Sequence, residues 1–147
     1  MFKNLLNFEL YYQLKQRTLV LFGLLFLGIG TFIGSQGFAP QGVDFNAPYQ
    51  VYFYAGIFSL GTLFVIMFFV VSGLLRDQQY HMEELMYATS LKKHQYFLTR
   101  FLGVFLFSLL AFSPFFIGYI LGNYSANLDP TRVADFDVMT YLQPWLY

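Results

Sequence analysis

Two histidines and one glutamate are the residues whose types and spacing come nearest to a chemical site. His81 and Glu84 stand three positions apart, and His94 follows thirteen positions after His81. Such side chains can bind zinc, but zinc sites usually carry cysteines or a pattern such as His-Glu-x-x-His. The chain has no cysteine and no such pattern. We therefore interpret these residues as helix-surface side chains and predict neither a metal site nor a bound cofactor.

Enzymatic and nucleotide chemistry is equally poorly supported. No glycine precedes a Lys-Ser or Lys-Thr pair, so the phosphate-binding loop of ATPases is missing from the sequence. The long apolar stretches hold no ionisable residue, which argues against a proton relay or a charged ion site within the membrane. The small number of basic residues also argues against nucleic-acid binding on electrostatic grounds. We predict that the chain is not an enzyme and has no catalytic residues.

The composition indicates a membrane protein. Hydrophobic residues make up 57% of the 147 positions and charged residues only 11%, whereas soluble domains average about 25% charged residues. Residues 18–34, 51–75 and 101–121 contain no charge, and about 20 apolar residues suffice for a helix to cross a bilayer. We predict an all-α membrane protein with three transmembrane helices, forming a single transmembrane domain over residues 1–147.

The first 17 residues are too polar to span a bilayer. Leucines and Phe2 recur at helical spacing, with polar residues between them. This pattern favours an amphipathic helix lying in the membrane interface. The alternative is that the segment simply extends the first membrane helix into the cytosol.

Positive charge is distributed unevenly between the connecting segments. Seven of the eight lysines and arginines lie before residue 18 or within residues 76–100, and only Arg132 lies elsewhere. Because positively charged short loops stay in the cytoplasm, the N-terminus and the 76–100 loop are predicted to be cytosolic. The tail, residues 122–147, is then external. Its Tyr141, Trp145 and Tyr147 are typical of a chain returning to the membrane interface.

Two local patterns bear on how the apolar helices pack. Gly30 and Gly34 form a Gly-x-x-x-Gly pair, which permits two helices to approach closely. Glycine is common in membrane helices generally, so the pair alone does not identify a contact face. Pro114 lies inside the third apolar stretch and is predicted to kink the helix or to leave one backbone hydrogen bond unmade.

The 76–100 loop is amphipathic and rich in charges of both signs. Met82, Leu85, Met86 and Thr89 fall on one helical face. Ser90 is a suitable N-cap for a second helix that continues into the third span. The pattern predicts a short helix across the membrane surface, a corner, and a long helix entering the membrane. A plain solvated connector is the alternative.

Residues 76–103, RDQQYHMEELMYATSLKKHQYFLTRFLG, resemble the first cytosolic loop of ABC transporter permeases of the type-2 exporter class. The matching positions are Arg76, Glu84, Leu85, Thr89, Ser90, Tyr96, Arg100 and Gly103. The order of elements is also similar: interfacial helix, two spans, this loop, third span. The chain has Met82-Glu83 and Leu91 where the family often has Gly-Thr and Pro.

The resemblance implies a coupling helix, within residues 78–95, that docks on a separate ATP-binding cassette subunit. Its implied partner-coupling residues are Glu83, Glu84, Leu85, Met86 and Thr89. It further implies the N-terminal half of a six-span permease in the bacterial cytoplasmic membrane, in contact with lipids and with the remaining half or a second copy. The competing hypothesis is a three-span anchor or scaffold that recruits some other cytosolic partner.

Overall fold

A computed structural model describes residues 2–79, 93–125 and 128–145. All regular structure within these ranges is helical. The described residues form six α-helices: α1 Phe2–Leu14, α2 Arg17–Gln36, α3 Pro48–Gln79, α4 Lys93–Phe112, α5 Pro114–Asn123 and α6 Val138–Leu142. Short 3-10 turns lie at Pro130–Arg132 and Gln143–Trp145.

Three helical stretches are long and apolar enough to cross a membrane. They are Arg17–Gln36, Pro48–Ser72 and Tyr96–Asn123, the last running through α4 and α5. The predicted all-α class and the three apolar helices are thus confirmed. The finer assignments stay predictions: the boundaries at 18–34, 51–75 and 101–121, the interfacial position of residues 1–17, and the loop helix within residues 76–100.

The tightest contact in the bundle joins the backbones of α2 and α5. A Cβ atom added to Gly34 would lie 2.5 Å from the Tyr119 carbonyl oxygen, and one added to Gly122 would lie 2.5 Å from the Thr31 carbonyl oxygen. A Cβ atom added to Gly30 or to Gly118 would lie closer still to a facing carbonyl oxygen, that of Phe115 or of Leu27 respectively. Two Gly-x-x-x-Gly pairs therefore face each other, and residue numbers rise together along both helices, so α2 and α5 are parallel.

The third span is interrupted at Ser113, as the sequence predicts from Pro114. Helix α4 ends at Phe112 and α5 begins at Pro114. Proline has no N–H to donate to the Leu110 carbonyl four residues earlier. The Ser113 hydroxyl donates to that carbonyl instead, at 2.8 Å. A backbone group that lipid could not solvate is thereby satisfied within the helix.

Aromatic rings fill the space around the α2–α5 contact. The rings of Phe26 and Phe112 meet edge to face with centroids 5.2 Å apart, and Phe112 stacks on Phe115 at 5.3 Å. Helix α3 joins this cluster through Phe58, whose ring lies 5.5 Å from that of Phe115. Such pairs contribute about 0.5–1.5 kcal/mol each beyond simple area burial.

Helix α3 runs antiparallel to its neighbours. Near its start, the Tyr54 ring lies 6.0 Å from that of Tyr119 on α5. Near its end, the Phe69 ring lies 6.3 Å from that of Phe22 at the beginning of α2. The two ends of the bundle are therefore distinct. One end holds the 37–47 loop. The other end holds the end of α3 and the beginning of α4, which flank residues 80–92.

Helix α1 is separate from α2. Gln16 between them has an extended backbone, with φ −71° and ψ 124°. Helix α1 packs beside α4, where Gln13 is buried and Leu10 touches the hydrophobic core. The helix is thus interrupted between the N-terminal segment and the first apolar stretch.

We expect Gly30→Ala and Gly118→Ala to lower the free energy of unfolding by about 1–3 kcal/mol, since each added methyl group would collide with backbone rather than with a movable side chain. Gly28 is the matched control on α2, because a Cβ there meets nothing within 4 Å. Gly28→Ala should leave stability unchanged or raise it by up to about 1 kcal/mol. Far-UV circular dichroism during denaturation from mild detergent by SDS measures both. Equal changes in the free energy of unfolding for Gly28→Ala and Gly30→Ala would contradict the backbone contact between α2 and α5.

Candidate functional site

The predicted coupling residues fall outside the described part of the chain. Glu83, Glu84, Leu85, Met86 and Thr89 all lie within residues 80–92, so their roles stay predictions. The flanking helices are described. Helix α3 continues seven residues past the apolar stretch that ends at Ser72, and α4 resumes at Lys93. Because α3 and α4 also contact each other, residues 80–92 connect two neighbouring helices at one end of the bundle.

The residues of the resemblance that follow this segment lie on α4. Thr99, next to the matching Arg100, is only 1% exposed, and its hydroxyl donates to the Tyr96 carbonyl at 2.8 Å. Gly103 is buried one turn further on. Helix α4 then runs unbroken to Phe112. Its length to the break at Ser113 is about 30 Å, at 1.5 Å per residue.

The zinc-like set of the sequence analysis is not assembled in the described residues. His94 is exposed on the first turn of α4, while His81 and Glu84 lie outside the described ranges. Within residues 2–79, 93–125 and 128–145, histidines and acidic residues nowhere form a group of three suited to a metal ion.

The opposite end of the bundle is closed by a structure that we call the loop–tail cap, formed by residues 37–47 and 128–145. Arg132 is its central residue. The guanidinium group donates to the carbonyls of Pro40 and Val43, both at 2.7 Å, and lies 4.4 Å from the centroid of the Phe45 ring. The Phe45 N–H donates in turn to the Arg132 carbonyl at 2.9 Å. The lone cation of this part of the chain thus organises a loop that is about ninety residues away in sequence.

Asn46 makes a second connection across the cap. Its amide nitrogen donates to the Ala134 carbonyl at 2.7 Å, and its amide oxygen accepts from the Ala134 N–H at 2.8 Å. The side chain therefore pairs with the backbone of one tail residue through both of its groups, as a neighbouring β-strand would. Asn46 is 6% exposed, so these bonds are largely shielded from water.

Two tyrosines of the spanning helices donate hydrogen bonds to the loop–tail cap. The Tyr119 hydroxyl donates to the Phe45 carbonyl at 2.9 Å, and the Tyr54 hydroxyl donates to the Phe38 carbonyl at 2.8 Å. Beside them lies Tyr141 of α6, which is almost fully buried and whose pKa is raised by that burial. The tail is therefore packed onto the bundle along residues 128–145 and does not hang free from the third span.

Two aspartates begin the short helices of the tail. Asp129 accepts from both the hydroxyl and the N–H of Thr131, and these hydrogen bonds lower the pKa of its carboxyl group. Asp137 accepts from the Met139 N–H at 3.0 Å and caps α6 in the same manner. Asp129 and Asp137 thus have local structural roles in the tail.

Sequence reasoning did not single out several of the residues that matter here. The pair Gly118 and Gly122 repeats the spacing of Gly30 and Gly34 inside the third apolar stretch, and that repetition was the available signal. In the sequence Arg132 stands out only as the single cation among the three aspartates of the tail. Nothing in the sequence marks Asn46, because its acceptor and donor belong to the backbone of a distant residue.

Comparison of the chain with protein-family models, with curated proteins and with solved structures found no significant match.

We expect Asn46→Ala to loosen both halves of the cap, since it removes two hydrogen bonds worth about 1 kcal/mol each. Hydrogen–deuterium exchange followed by mass spectrometry should show faster exchange in peptides from residues 37–47 and from residues 128–145. Gln41→Ala is the control, because Gln41 is an exposed amide in the same loop. If Asn46→Ala changed only the 37–47 peptides, the connection to Ala134 would be refuted.

Proposed function

We propose that this chain is the membrane-spanning permease subunit, or part of one, of an ATP-driven ABC exporter of the type-2 class. The observation that carries the proposal is the resemblance of residues 76–103 to the first cytosolic loop of such permeases. Three helices long enough to span a membrane support it. So does the packing of α3 against α4, which brings the two ends of residues 80–92 to one side of the bundle.

The proposed orientation follows from charge. With the N-terminus and residues 76–100 in the cytosol, seven of eight basic residues lie on that side. The loop–tail cap then faces the external compartment of a bacterial cytoplasmic membrane. ATP would be hydrolysed in a separate ATP-binding subunit, which contacts residues 78–95 from the cytosolic side.

In the proposed mechanism, closure of the ATP-binding subunit presses on the coupling segment and displaces the first turns of α4. The helix carries this displacement to Ser113, where Pro114 has already broken the regular hydrogen bonding. Helix α5 beyond the break is held to α2 by backbone contact. Movement therefore concentrates in α3 and α4, while α2, α5 and the cap act as the fixed part of the domain.

One face of α3 is available for the remaining half of the permease or for a second copy. Its central residues Leu60, Leu63, Phe64 and Met67 are each at least 60% exposed. Lipid or another apolar helix can cover such a face. Three spans alone make a poor enclosure for a substrate path, which favours a larger assembly.

The proposal is tested by Glu84→Lys combined with Leu85→Asp, which reverses one charge of the predicted coupling surface and replaces an apolar side chain beside it with a carboxylate. The full chain is purified from its native membrane, and the copurifying ATP-binding polypeptide is identified by photolabelling with azido-ATP. We expect the double variant to insert normally but to lose most stimulation of that ATPase activity. Stimulation is measured as ATP hydrolysed per labelled polypeptide.

The matched control makes the same kinds of change at the cap, Asp135→Lys with Val138→Asp, where both side chains are exposed. It should leave ATPase stimulation unchanged. Normal stimulation in the 84/85 variant would remove the coupling role. Recovery of a stable cytosolic partner that does not take the azido-ATP label would instead support the scaffold hypothesis.

A further inference from the structure

A cleft of about 890 Å³ lies between α3 on one side and α4 and α5 on the other. Its floor on α3 includes Ala55, Gly56 and Ser59, and a Cβ atom added to Gly56 would meet nothing within 4 Å. Phe105 and Leu109 form part of the opposite wall. The volume lies within the range of about 300–1,000 Å³ that is typical of small-molecule sites.

The interior of the cleft offers few free hydrogen-bonding groups. The Ser59 hydroxyl donates to the Gly56 carbonyl at 2.8 Å, and the Thr62 hydroxyl donates to the Ser59 carbonyl. Both hydroxyl protons are therefore used within α3. The rest of this region is lined by aromatic and aliphatic side chains, and it lies within the apolar stretch Pro48–Ser72. A molecule that fills this part of the cleft must therefore be apolar.

The end of the cleft nearest the loop–tail cap is different. The Tyr52 hydroxyl donates to the side-chain amide of Gln143, and Gln143 is exposed, so its N–H groups can donate to a further molecule. Gln143 and Pro144 line this end of the cleft. The cleft thus combines a long apolar body with one hydrogen-bond donor at the level where the helices leave the membrane.

Size and shape distinguish a lipid chain from a helix as the occupant. From Tyr52 to Thr62 the cleft extends about 15 Å along α3, at 1.5 Å per residue. A helix with its side chains is about 10–12 Å across and occupies roughly 1,200 Å³ or more over that length, so it would not fit wholly inside the cleft. A spanning helix would also have to continue past Gln143 and Pro144. An acyl chain ends within the membrane and requires neither.

We infer that this cleft binds a phospholipid from the surrounding bilayer, with one acyl chain between α3 and α4 and an ester or phosphate oxygen accepting from the Gln143 amide. The lipid belongs to the leaflet at the cap end. This site is independent of the proposed transport function, because it rests only on the geometry of the cleft. Bound there, the lipid separates α3 from α4 in the half of the bundle nearest the loop–tail cap.

The test uses the full chain extracted in polymer-bounded discs of native membrane. A phosphatidylethanolamine with a diazirine in one acyl chain is the probe, and labelled peptides are mapped by mass spectrometry after irradiation. Lipid retained through repeated detergent exchange is quantified in parallel. We expect labelling of α3 near Gly56 and of α4 near Leu109, together with retention of phospholipid in a fixed ratio to protein.

Gly56→Phe fills the cleft and should reduce both signals to background. Gly28→Phe is its matched control, since Gly28 also faces open space but lies on α2, outside the cleft. It should retain the lipid. Ser59→Leu is a second variant that fills the same cleft with a smaller side chain. Circular dichroism establishes that each variant is folded.

Gln143→Leu should weaken retention about fivefold, the equivalent of losing one hydrogen bond of roughly 1 kcal/mol, whereas Gln41→Leu should not. Equal retention in the Gly56→Phe and Gly28→Phe variants would overturn the proposal, as would loss from both. Label spread evenly over all exposed helix faces would also overturn it. Crosslinks between two copies of the chain at the cleft, in place of lipid, would show that a helix is the occupant.

Discussion

Lipid is the solvent of the three apolar helices, and it gives them little reason to associate, because acyl chains are as apolar as leucine. Helices in such a solvent are held by close contact and by complete hydrogen bonding. Helices α2 and α5 meet the first requirement through Gly30, Gly34, Gly118 and Gly122, whose missing side chains allow the two backbones to touch. Aromatic rings then pack around this contact and bring in α3.

The second requirement explains the places where the chain is not regular. At the proline break, the Ser113 hydroxyl replaces the missing backbone donor. At the cap, Arg132 and two tyrosines satisfy carbonyls of the 37–47 loop, and Asn46 satisfies the Ala134 carbonyl of the tail. The bundle is consequently fixed at its cap end and along α2 and α5. Helix α3 is the most exposed of the three spanning stretches, and the ends of α3 and α4 far from the cap flank residues 80–92. The proposed coupling mechanism requires such a difference between the two ends of the bundle.

The sequence was sufficient for the features that depend on composition and local chemistry. Absence of charge over long stretches predicts the spanning helices, and Pro114 predicts the break. Gly30 and Gly34 showed that α2 could approach a neighbour closely, but a pattern on one helix does not say which helix approaches. The loop–tail cap could not be predicted from the sequence for a related reason. Arg132 and Asn46 bind backbone groups, and every residue carries such groups whatever its side chain. The coupling residues 83–89 rest on resemblance alone, since they lie outside the described structure.

We propose that three crossings place residues 76–100 and the loop–tail cap on opposite sides of the membrane, with the former in the cytosol. The chain has no cysteine, so Glu84→Cys and Asp135→Cys each create a single reactive thiol. A membrane-impermeant maleimide applied to intact cells should label the thiol at position 135 directly and the thiol at position 84 only after permeabilisation. Labelling of position 84 from outside, or of both positions from the same side, would contradict the account.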